Sequence, residues 1–280
     1  MPNPLLVTYG LKFNPFLNDL PDEALYVPPA IDSFCRRVEL SLGDGGFVLV
    51  DGAPGTGKSK ALRILAQKLR AHRDVVVGAI DHPQSRVNDF YRELADLFGV
   101  PLLAHNRWGG FKALRTCWST HIATTLARPV LIIDEAQQML DNVFSELRLL
   151  ASKDFDSRSL LCVVFAGDGR LTERLRHPEL LPLGSRIRRR LVLEYAARDE
   201  LLACLDHVLE TAGNGALMTP ELKATLVDHA AGNYRVLMNL GYDLLTAAAE
   251  RQLPRLDEKL FLEVFAPPNK KGPPAGAKKR

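Results

Sequence analysis

The residues with the clearest chemical potential form a glycine-rich loop early in the chain. Residues 52–59 read Gly-Ala-Pro-Gly-Thr-Gly-Lys-Ser, which matches the pattern G-x-x-x-x-G-K-[ST]. The glycines let backbone N–H groups wrap phosphate oxygens, Lys58 supplies a positive charge, and Ser59 supplies a hydroxyl for Mg²⁺. The loop therefore predicts a phosphate site with ATP and Mg²⁺ as ligands, formed by Gly52, Ala53, Pro54, Gly55, Thr56, Gly57, Lys58 and Ser59.

Two adjacent carboxylates follow the apolar run Val130–Ile133. Parallel sheets bind ligands at the carboxyl ends of their strands, so Asp134 is expected to hold Mg²⁺ together with Ser59. Glu135, beside the metal, is expected to polarise an attacking water. An apolar run followed by two acids is common and is a weak signal alone. With the glycine-rich loop upstream, the pair becomes a strong indication of a nucleotide site. A kinase acting on a small hydroxyl does not need the glutamate, so the pair favours hydrolysis.

A third acid, Asp168, follows the apolar run Leu161–Ala166. In P-loop ATPases with an added central strand, this run lies between the strands that precede the glycine loop and Asp134. Asp168 would then reach the γ-phosphate and orient the water. A plain turn residue before Gly169 is an equally good interpretation.

Five short apolar runs alternate with amphipathic stretches up to about residue 196, and only helical spacing follows. Continuously apolar strands that alternate with helices predict an α/β fold with a parallel sheet covered on both faces. The predicted fold is thus a five-stranded P-loop core followed by a small all-α lid. We expect a packed N-terminal segment over 1–30, the ATPase core over 31–196, the helical lid over 197–266 and a disordered basic tail over 267–280. The five runs are Gly46–Val50, Val75–Ile80, Val130–Ile133, Leu161–Ala166 and Leu191–Glu194.

The composition is that of an ordinary globular protein, with 280 residues, of which 46% are hydrophobic and 25% charged. Four scattered cysteines without a CxxC pair favour buried free thiols. No signal peptide or membrane span is visible, which predicts a soluble, cytoplasmic protein without a membrane partner. The net charge of +3 depends on the basic residues of the tail. That tail is either a solvated end or an arm that attracts phosphates.

Two arginine features could complete a hydrolytic site. The segment Ser185–Leu191 has four arginines in five positions just before the fifth predicted strand. Arg186, Arg188 and Arg189 are candidates for an arginine finger that acts on the nucleotide of a neighbouring subunit, although a solvated cluster is the alternative. Arg235, in the helical region, could reach the γ-phosphate of its own subunit.

A basic and aromatic stretch precedes a predicted helix at residues 106–115. Arg107, Lys112 and Arg115 would face the DNA backbone if this stretch lined a pore, whereas a plain loop and amphipathic helix is the competing interpretation. Nothing indicates base readout, so binding to double-stranded DNA would be independent of sequence.

Together, these features resemble the AAA+ superfamily. A finer resemblance, over most of residues 5–265, is to the ExeA-like group and the related transposition ATPases TnsC, TniB and MuB. The segments that carry it are 9–16 (YGLKFNPF), 133–137 (IDEAQ), 146–150 (ELRLL), 176–180 (RHPEL) and 232–237 (GNYRVL).

The resemblance implies an ATPase that assembles on double-stranded DNA as a ring, typically hexameric, or as a helical filament. Such regulators recruit a transposase to target DNA and disassemble on hydrolysis. One departure is Gly167-Asp168, where ExeA-like chains often have glutamine, which weakens the sensor role of Asp168. The alternatives are a secretion-assembly ATPase and another DNA-linked ATPase such as a helicase loader. A secretion relative is expected to carry a membrane span and a cell-wall-binding region after its ATPase, whereas only the basic tail follows Phe265.

Overall fold

The computed structural model describes residues 4–101 and 107–266, and the chain divides into two compact units. One unit is Leu25–Ala196, and the other combines Met1–Ala24 with Ala197–Arg280. The helices are α1 Pro4–Tyr9, α2 Pro29–Glu39, α3 Lys58–Arg70, α4 Val87–Leu97, α5 Arg107–Thr125, α6 Asp141–Ala151, α7 Gly169–Arg174, α8 Leu181–Gly184, α9 Arg198–Thr211, α10 Pro220–Ala230, α11 Tyr234–Glu250 and α12 Glu258–Phe265. The strands are β1 Gly46–Gly52, β2 Val77–Ile80, β3 Val130–Ile133, β4 Ser152–Lys153, β5 Arg158–Ser159, β6 Cys162–Gly167 and β7 Ile187–Leu193.

Five strands form one parallel sheet in the order β2-β3-β6-β1-β7. Every residue of β3 and β6 is buried, because helices cover both faces of the sheet there. β6 lies between β1 and β3, so the predicted added central strand is confirmed. The register pairs Ile133 with Phe165, and Asp51 with Gly167. The carboxyl ends of these three strands therefore meet at one edge of the sheet.

The predicted fifth strand is correct in kind but wrong in extent. β7 begins at Ile187 rather than Leu191, so Arg188 and Arg189 lie within the strand and not before it. β7 is an edge strand, and its exposed residues alternate with more buried ones. Charged side chains are tolerated on such an edge, so an apolar run alone marks only part of the strand. β2 similarly begins at Val77 instead of Val75.

The helices of the α/β unit bury most of the sheet. α3 packs across β1, β2 and β6. Aromatic side chains fill the core around α4, α5 and α6, where Trp118 and Phe144 are fully buried and Phe144 packs against Phe165 of β6. A rigid sheet with this core holds the loops at its carboxyl edge in a defined arrangement.

The other unit consists of α9 to α12 together with the first residues of the chain. The Tyr9 hydroxyl donates a 3.0 Å hydrogen bond to the Leu253 carbonyl, and the Lys12 N–H donates to the Ala212 carbonyl at 2.8 Å. Thr219 accepts a hydrogen bond from the Leu222 N–H and caps α10, as its position before Pro220 predicts. The described N-terminal residues thus pack on this unit.

Within the described ranges, no helix has both the length and the apolar character needed to cross a membrane. All four cysteines are free thiols, and three of them are buried. Both the basic tail at 267–280 and Asn106 lie outside the described residues.

Candidate nucleotide site

The glycine-rich loop connects β1 to α3 at the carboxyl edge of the sheet. Gly55 and Gly57 have φ values of 85° and 97°, a region that favours glycine because it has no Cβ. Gly57 precedes α3, and no side chain caps that helix. The first N–H groups of α3 and the positive end of its helix dipole therefore point into the glycine-rich loop. This arrangement is typical of a site that binds an anion.

Two side chains hold the loop in shape. The Thr56 hydroxyl donates to the Ala53 carbonyl at 2.8 Å, and Thr56 is only 2% exposed. The Lys58 ammonium donates to the Gly52 carbonyl at 2.8 Å and to the Ala53 carbonyl at 3.2 Å. Lys58 is 7% exposed, so its charge is concentrated within the loop, where phosphate oxygens could replace the carbonyls.

Ser59 and Asp134 are brought together from two different elements. The Ser59 hydroxyl, in the first turn of α3, donates to Asp134 Oδ2 at 2.8 Å. Asp134 follows β3, and its Oδ1 accepts the Glu135 N–H at 2.8 Å. The two side chains present a hydroxyl and a carboxylate to one point, which are the hard oxygen ligands that Mg²⁺ prefers.

Glu135 occupies a left-handed backbone conformation, with φ 49° and ψ 36°. This conformation is uncommon for a residue other than glycine and turns the chain sharply after β3. The turn lets Gln137 reach back, and its Nε2 donates to Glu135 Oε2 at 2.5 Å. Gln137 is 9% exposed, so the base candidate is held by an almost fully buried amide.

Asp168 follows β6 and caps α7 by accepting the Arg170 N–H at 3.1 Å. The Arg170 guanidinium also binds its carboxylate, with Nη2 to Oδ2 at 2.6 Å. These hydrogen bonds, with a smaller contribution from the charge of Lys58, hold the pKa of the Asp168 carboxyl below its ordinary value. In turn, the Asp168 carboxylate raises the pKa of Arg170, and the charge of Glu135 adds to that shift. Asp168, Arg170, Lys58 and Glu135 therefore interact electrostatically at one edge of the sheet.

The donor set of this edge fits a magnesium nucleotide. An uncapped helix N-terminus and a buried lysine match phosphate oxygens, while Ser59 and Asp134 match Mg²⁺. Among the described residues, no three His, Cys, Asp or Glu side chains cluster as a metal site. Mg²⁺ usually takes one or two protein carboxylates and completes its shell with phosphates and water.

The arginine finger candidates have different surroundings. Arg186 pairs with Asp156 and donates to the Pro182 carbonyl. Arg188 is exposed and Arg189 is half-buried on β7. Arg235 is exposed in the first turn of α11, in the helical unit. The structure thus leaves Arg188 as the most accessible of the three candidates near β7.

The three DNA candidates all lie on α5, not in a loop before it. Arg107 pairs with the buried Glu146, and its Nε donates to Oε2 at 3.2 Å. Arg115 donates to the Leu149 carbonyl at 2.9 Å and to neighbouring carbonyls at the end of α6. Lys112 is exposed, with its ammonium 5.4 Å from the centre of the Trp108 ring. Two of the three cations are therefore engaged within the fold.

Beside Lys112, a cavity of about 350 Å³ opens on the surface. It combines cationic and hydroxyl side chains with one aromatic ring, lined by Phe111, Lys112, Arg115, Thr116, Ser119, Thr120 and Lys153. Lys153 comes from β4, which forms a short hairpin with β5 that was not predicted from the sequence.

The sequence predicts no role for Gln137, Arg170 or Arg174. Gln137 could have been suspected from its position two residues after Glu135. Arg170 could have been suspected from its place two residues after Asp168. Neither residue type is diagnostic by itself, because only the turns after β3 and β6 bring these side chains back to the acids.

A parallel sheet in this order, with a glycine loop after β1 and paired acids after β3, is the P-loop AAA+ fold, and this fold implies nucleotide binding. Residues 41–175 match the family model described as an AAA domain.

Among curated proteins, the chain is similar to General secretion pathway protein A of Aeromonas hydrophila, at 31% identity over 246 residues. The match covers 86% of this chain and 44% of that protein, so the chain spans less than half of the relative's length.

Solved structures with the same fold include Cdc6p from Pyrobaculum aerophilum, with a TM-score of 0.69 at 15% identity, covering 88% of this chain and 70% of that one. The Aeropyrum pernix ORC1 protein in complex with DNA has a TM-score of 0.67 at 16% identity, covering 89% and 67%. At these identities the likeness shows the fold alone.

Proposed function

We propose that this protein is a Mg²⁺-dependent ATPase. The observation that carries the proposal is the Ser59 hydroxyl 2.8 Å from the Asp134 carboxylate, beside an uncapped helix N-terminus and next to Glu135. When bound, Mg²⁺ stabilises negative charge on the phosphate oxygens. Ser59 and Asp134 hold the ion, the loop 52–59 binds the phosphates, and Lys58 neutralises the β and γ oxygens.

In this proposal, Glu135 accepts a proton from, or orients, the attacking water. Asp168 stands at the end of the central strand and is a second group that orients the water, while its cap on α7 serves the fold.

The first experiment compares ATP binding with ATP turnover. Glu135→Gln is expected to bind ATP as the wild type does and to hydrolyse it about a hundredfold more slowly, because the carboxylate that activates water is gone. Lys58→Ala is expected to lose binding itself. Unchanged turnover in Glu135→Gln would reject its role as the base.

Hydrolysis is proposed to occur in an assembly of identical subunits, a hexameric ring or a helical filament. An arginine supplied by the neighbour, Arg188 or else Arg186 or Arg189, stabilises the transition state in trans. The exposure of Arg188 on the edge strand supports this assignment.

Mixing inactive variants tests the trans arginine. The Arg188→Ala subunit keeps an intact glycine-rich loop, and the Lys58→Ala subunit keeps an intact Arg188. In a mixed assembly, Arg188 of a Lys58→Ala subunit can act on the nucleotide of an Arg188→Ala neighbour, so ATP turnover is expected to return. Arg190→Ala, on the same strand, is the matched control and should need no rescue. If no mixture of any finger variant with Lys58→Ala recovers activity, the trans assignment is wrong.

We further propose that the assembly forms on double-stranded DNA, without sequence preference, and recruits a transposase. The cavity beside α5 supports DNA contact, because Lys112 and Lys153 line it together with serine and threonine hydroxyls, and these are side chains that commonly contact phosphates. Arg115 lines the same cavity and Arg107 begins the same helix, but their contacts with α6 and Glu146 make them weaker candidates. A related fold, the Aeropyrum pernix protein, was solved with DNA.

DNA binding is tested with a long duplex of random sequence, a non-hydrolysable ATP analogue or ADP, and increasing salt. Rings or filaments are expected in electron micrographs only with the analogue, and affinity should fall steeply as salt rises. Lys112→Glu and Lys153→Glu should weaken binding, whereas Lys259→Glu, an exposed lysine of α12, should not. DNA pull-down of the cognate transposase, only with the analogue, completes the test.

A role in secretion-apparatus assembly is the second candidate, favoured by the 31% identity to General secretion pathway protein A. In that case the ATPase results stand, but no nucleotide state binds DNA. The duplex experiment therefore distinguishes the two functions, and its result does not affect the proposed ATPase mechanism.

A further inference from the structure

Gln137 restrains the carboxylate of Glu135 from a nearly buried position. Its Nε2 donates to Glu135 Oε2 at 2.5 Å, while Glu135 Oε1 makes no hydrogen bond with any residue that the structure describes. The two residues are linked by Ala136, which is fully buried and anchors the turn between them. One carboxylate oxygen is thus fixed and the other is left for a small molecule such as water.

Gln137 is itself held in place from several sides. Its backbone carbonyl accepts from Arg174 Nη1 at 2.6 Å, and Arg174 Nη2 donates to the Met139 carbonyl at 2.8 Å. The Arg174 guanidinium lies over the Phe144 ring, 5.4 Å from its centre. At the side-chain end, a Cβ on Gly167 would stand only 2.6 Å from Gln137 Oε1. The amide is packed closely and has little freedom to turn.

This arrangement has a cost that folding alone does not explain. Gln137 Oε1 is buried and has no hydrogen-bond partner among the described residues. An unpaired buried carbonyl destabilises a fold, and an apolar side chain of similar volume would avoid that penalty. If the amide were rotated, Oε1 would face the Glu135 carboxylate, and two oxygen acceptors repel each other. The Nε2 donor must therefore face Glu135. A buried polar atom without a hydrogen-bond partner lowers stability, and such unfavourable local features are expected at functional sites.

We propose that Gln137 is a positioning residue for ATP hydrolysis, which orients Glu135 so that its free oxygen meets the attacking water. This inference rests on the proposed ATPase function and on Glu135 as the base. Gln137 touches neither nucleotide nor water, and it acts only through the carboxylate. Its removal changes the rate of the chemical step and leaves nucleotide binding intact.

The test replaces the amide by apolar side chains of similar size, Gln137→Leu and Gln137→Met. For both, kcat should fall about tenfold or more, the KM for ATP should stay within about twofold, and the thermal midpoint should rise or stay constant. The matched control is Gln138→Leu, the same change at the next, exposed position, for which kcat should not change. A role in stability alone predicts the reverse, with a lower midpoint and a normal kcat.

Each outcome decides the question. A lower kcat at an unchanged KM, without loss of stability, supports the inference. A wild-type kcat in both apolar variants overturns it, as does a kcat that falls only in proportion to the folded fraction. If the wild-type protein does not hydrolyse ATP, both the proposed ATPase function and this inference are wrong. If the wild type hydrolyses ATP and Glu135→Gln abolishes that activity, the ATPase function stands whatever the Gln137 variants show.

Discussion

The Ser59 hydroxyl and the Asp134 carboxylate meet at 2.8 Å although 75 positions separate them in the sequence. Ser59 is fixed by the first turn of α3, and Asp134 is fixed by the end of β3. Because each oxygen is placed by a different rigid element, the pair can hold a cation without a loop having to rearrange.

Removing the pair should separate magnesium-dependent from magnesium-independent nucleotide binding. Asp134→Asn and Ser59→Ala are expected to lower ATP affinity about tenfold or more in the presence of Mg²⁺ and to change it little in the presence of a chelator. Titration calorimetry with and without Mg²⁺ measures both values. Ser145→Ala, which removes a hydroxyl that donates to the Asp141 carbonyl within α6, serves as the control. Equal losses with and without Mg²⁺ would argue against a metal-binding role.

The pairing of Asp168 with Arg170 should make part of the stability depend on pH. The folded protein holds the pKa of Asp168 below 3.8, so the pair stabilises the fold above that pH and loses its contribution as pH falls through the lower, folded-state pKa. Asp168→Asn keeps a capping residue for α7 and removes the charge. We expect a small loss of stability at pH 7, which shrinks towards about pH 3 in urea titrations. A loss that is constant across this range would show that charge is not the cause.

Tyr91 connects the core to Arg107 through Glu146. The Tyr91 hydroxyl donates to Glu146 Oε2 at 2.9 Å, and burial raises the pKa of Tyr91 well above its usual range. Tyr91→Phe keeps the ring but leaves the buried carboxylate short of a donor. The free energy of unfolding should fall by about 1–3 kcal/mol, as measured by urea denaturation. Tyr242→Phe, on a partly exposed ring, should change it by less than about 0.5 kcal/mol.

Gly167 is expected to tolerate no side chain. A Cβ there would lie 2.6 Å from Gln137 Oε1 and 2.8 Å from Leu171 Cδ2. Gly167→Ala should cost about 1–3 kcal/mol of stability and displace the amide that holds Glu135, so kcat per folded molecule should fall as well. Gly169→Ala, two residues on, meets nothing within 4 Å and is the control. A fully active, stable Gly167→Ala protein would contradict the packing of Gln137 against this glycine.

The cysteines should differ in reactivity. Burial raises the pKa of Cys35 to about 11 and those of Cys162 and Cys204 to about 12, and the thiolate is the reactive form. Cys117 is half-buried. Mass spectrometry after brief alkylation near pH 8 should find label on Cys117 alone, and on all four thiols in urea. Rapid labelling of Cys162 in the folded protein would mean that β6 opens readily.

Sequence and structure agree best where chemistry demands particular residues in a short stretch. Three sequence features were sufficient to predict the AAA+ fold and the position of its central strand between β1 and β3. They are the glycine loop, the Asp134-Glu135 pair and the alternation of apolar runs with helices. They succeed because a phosphate loop needs its residues at fixed local spacing and because a buried parallel strand must be continuously apolar. Edge strand β7 was placed less well, since one solvated side lets Arg188 and Arg189 belong to a strand.

By itself, the sequence determined which residues could bind phosphate and Mg²⁺, because those roles follow from residue type and local spacing. Only the tertiary structure decided that Arg107 pairs with Glu146 and that Arg115 donates to carbonyls at the end of α6, whereas Lys112 and Lys153 line the cavity beside α5. It also decided that Gln137 meets Glu135 and that Arg170 meets Asp168. The physical reason is common to all of these contacts. They depend on where a turn or a packed helix places a side chain in space, which residue types and spacing along the chain do not specify.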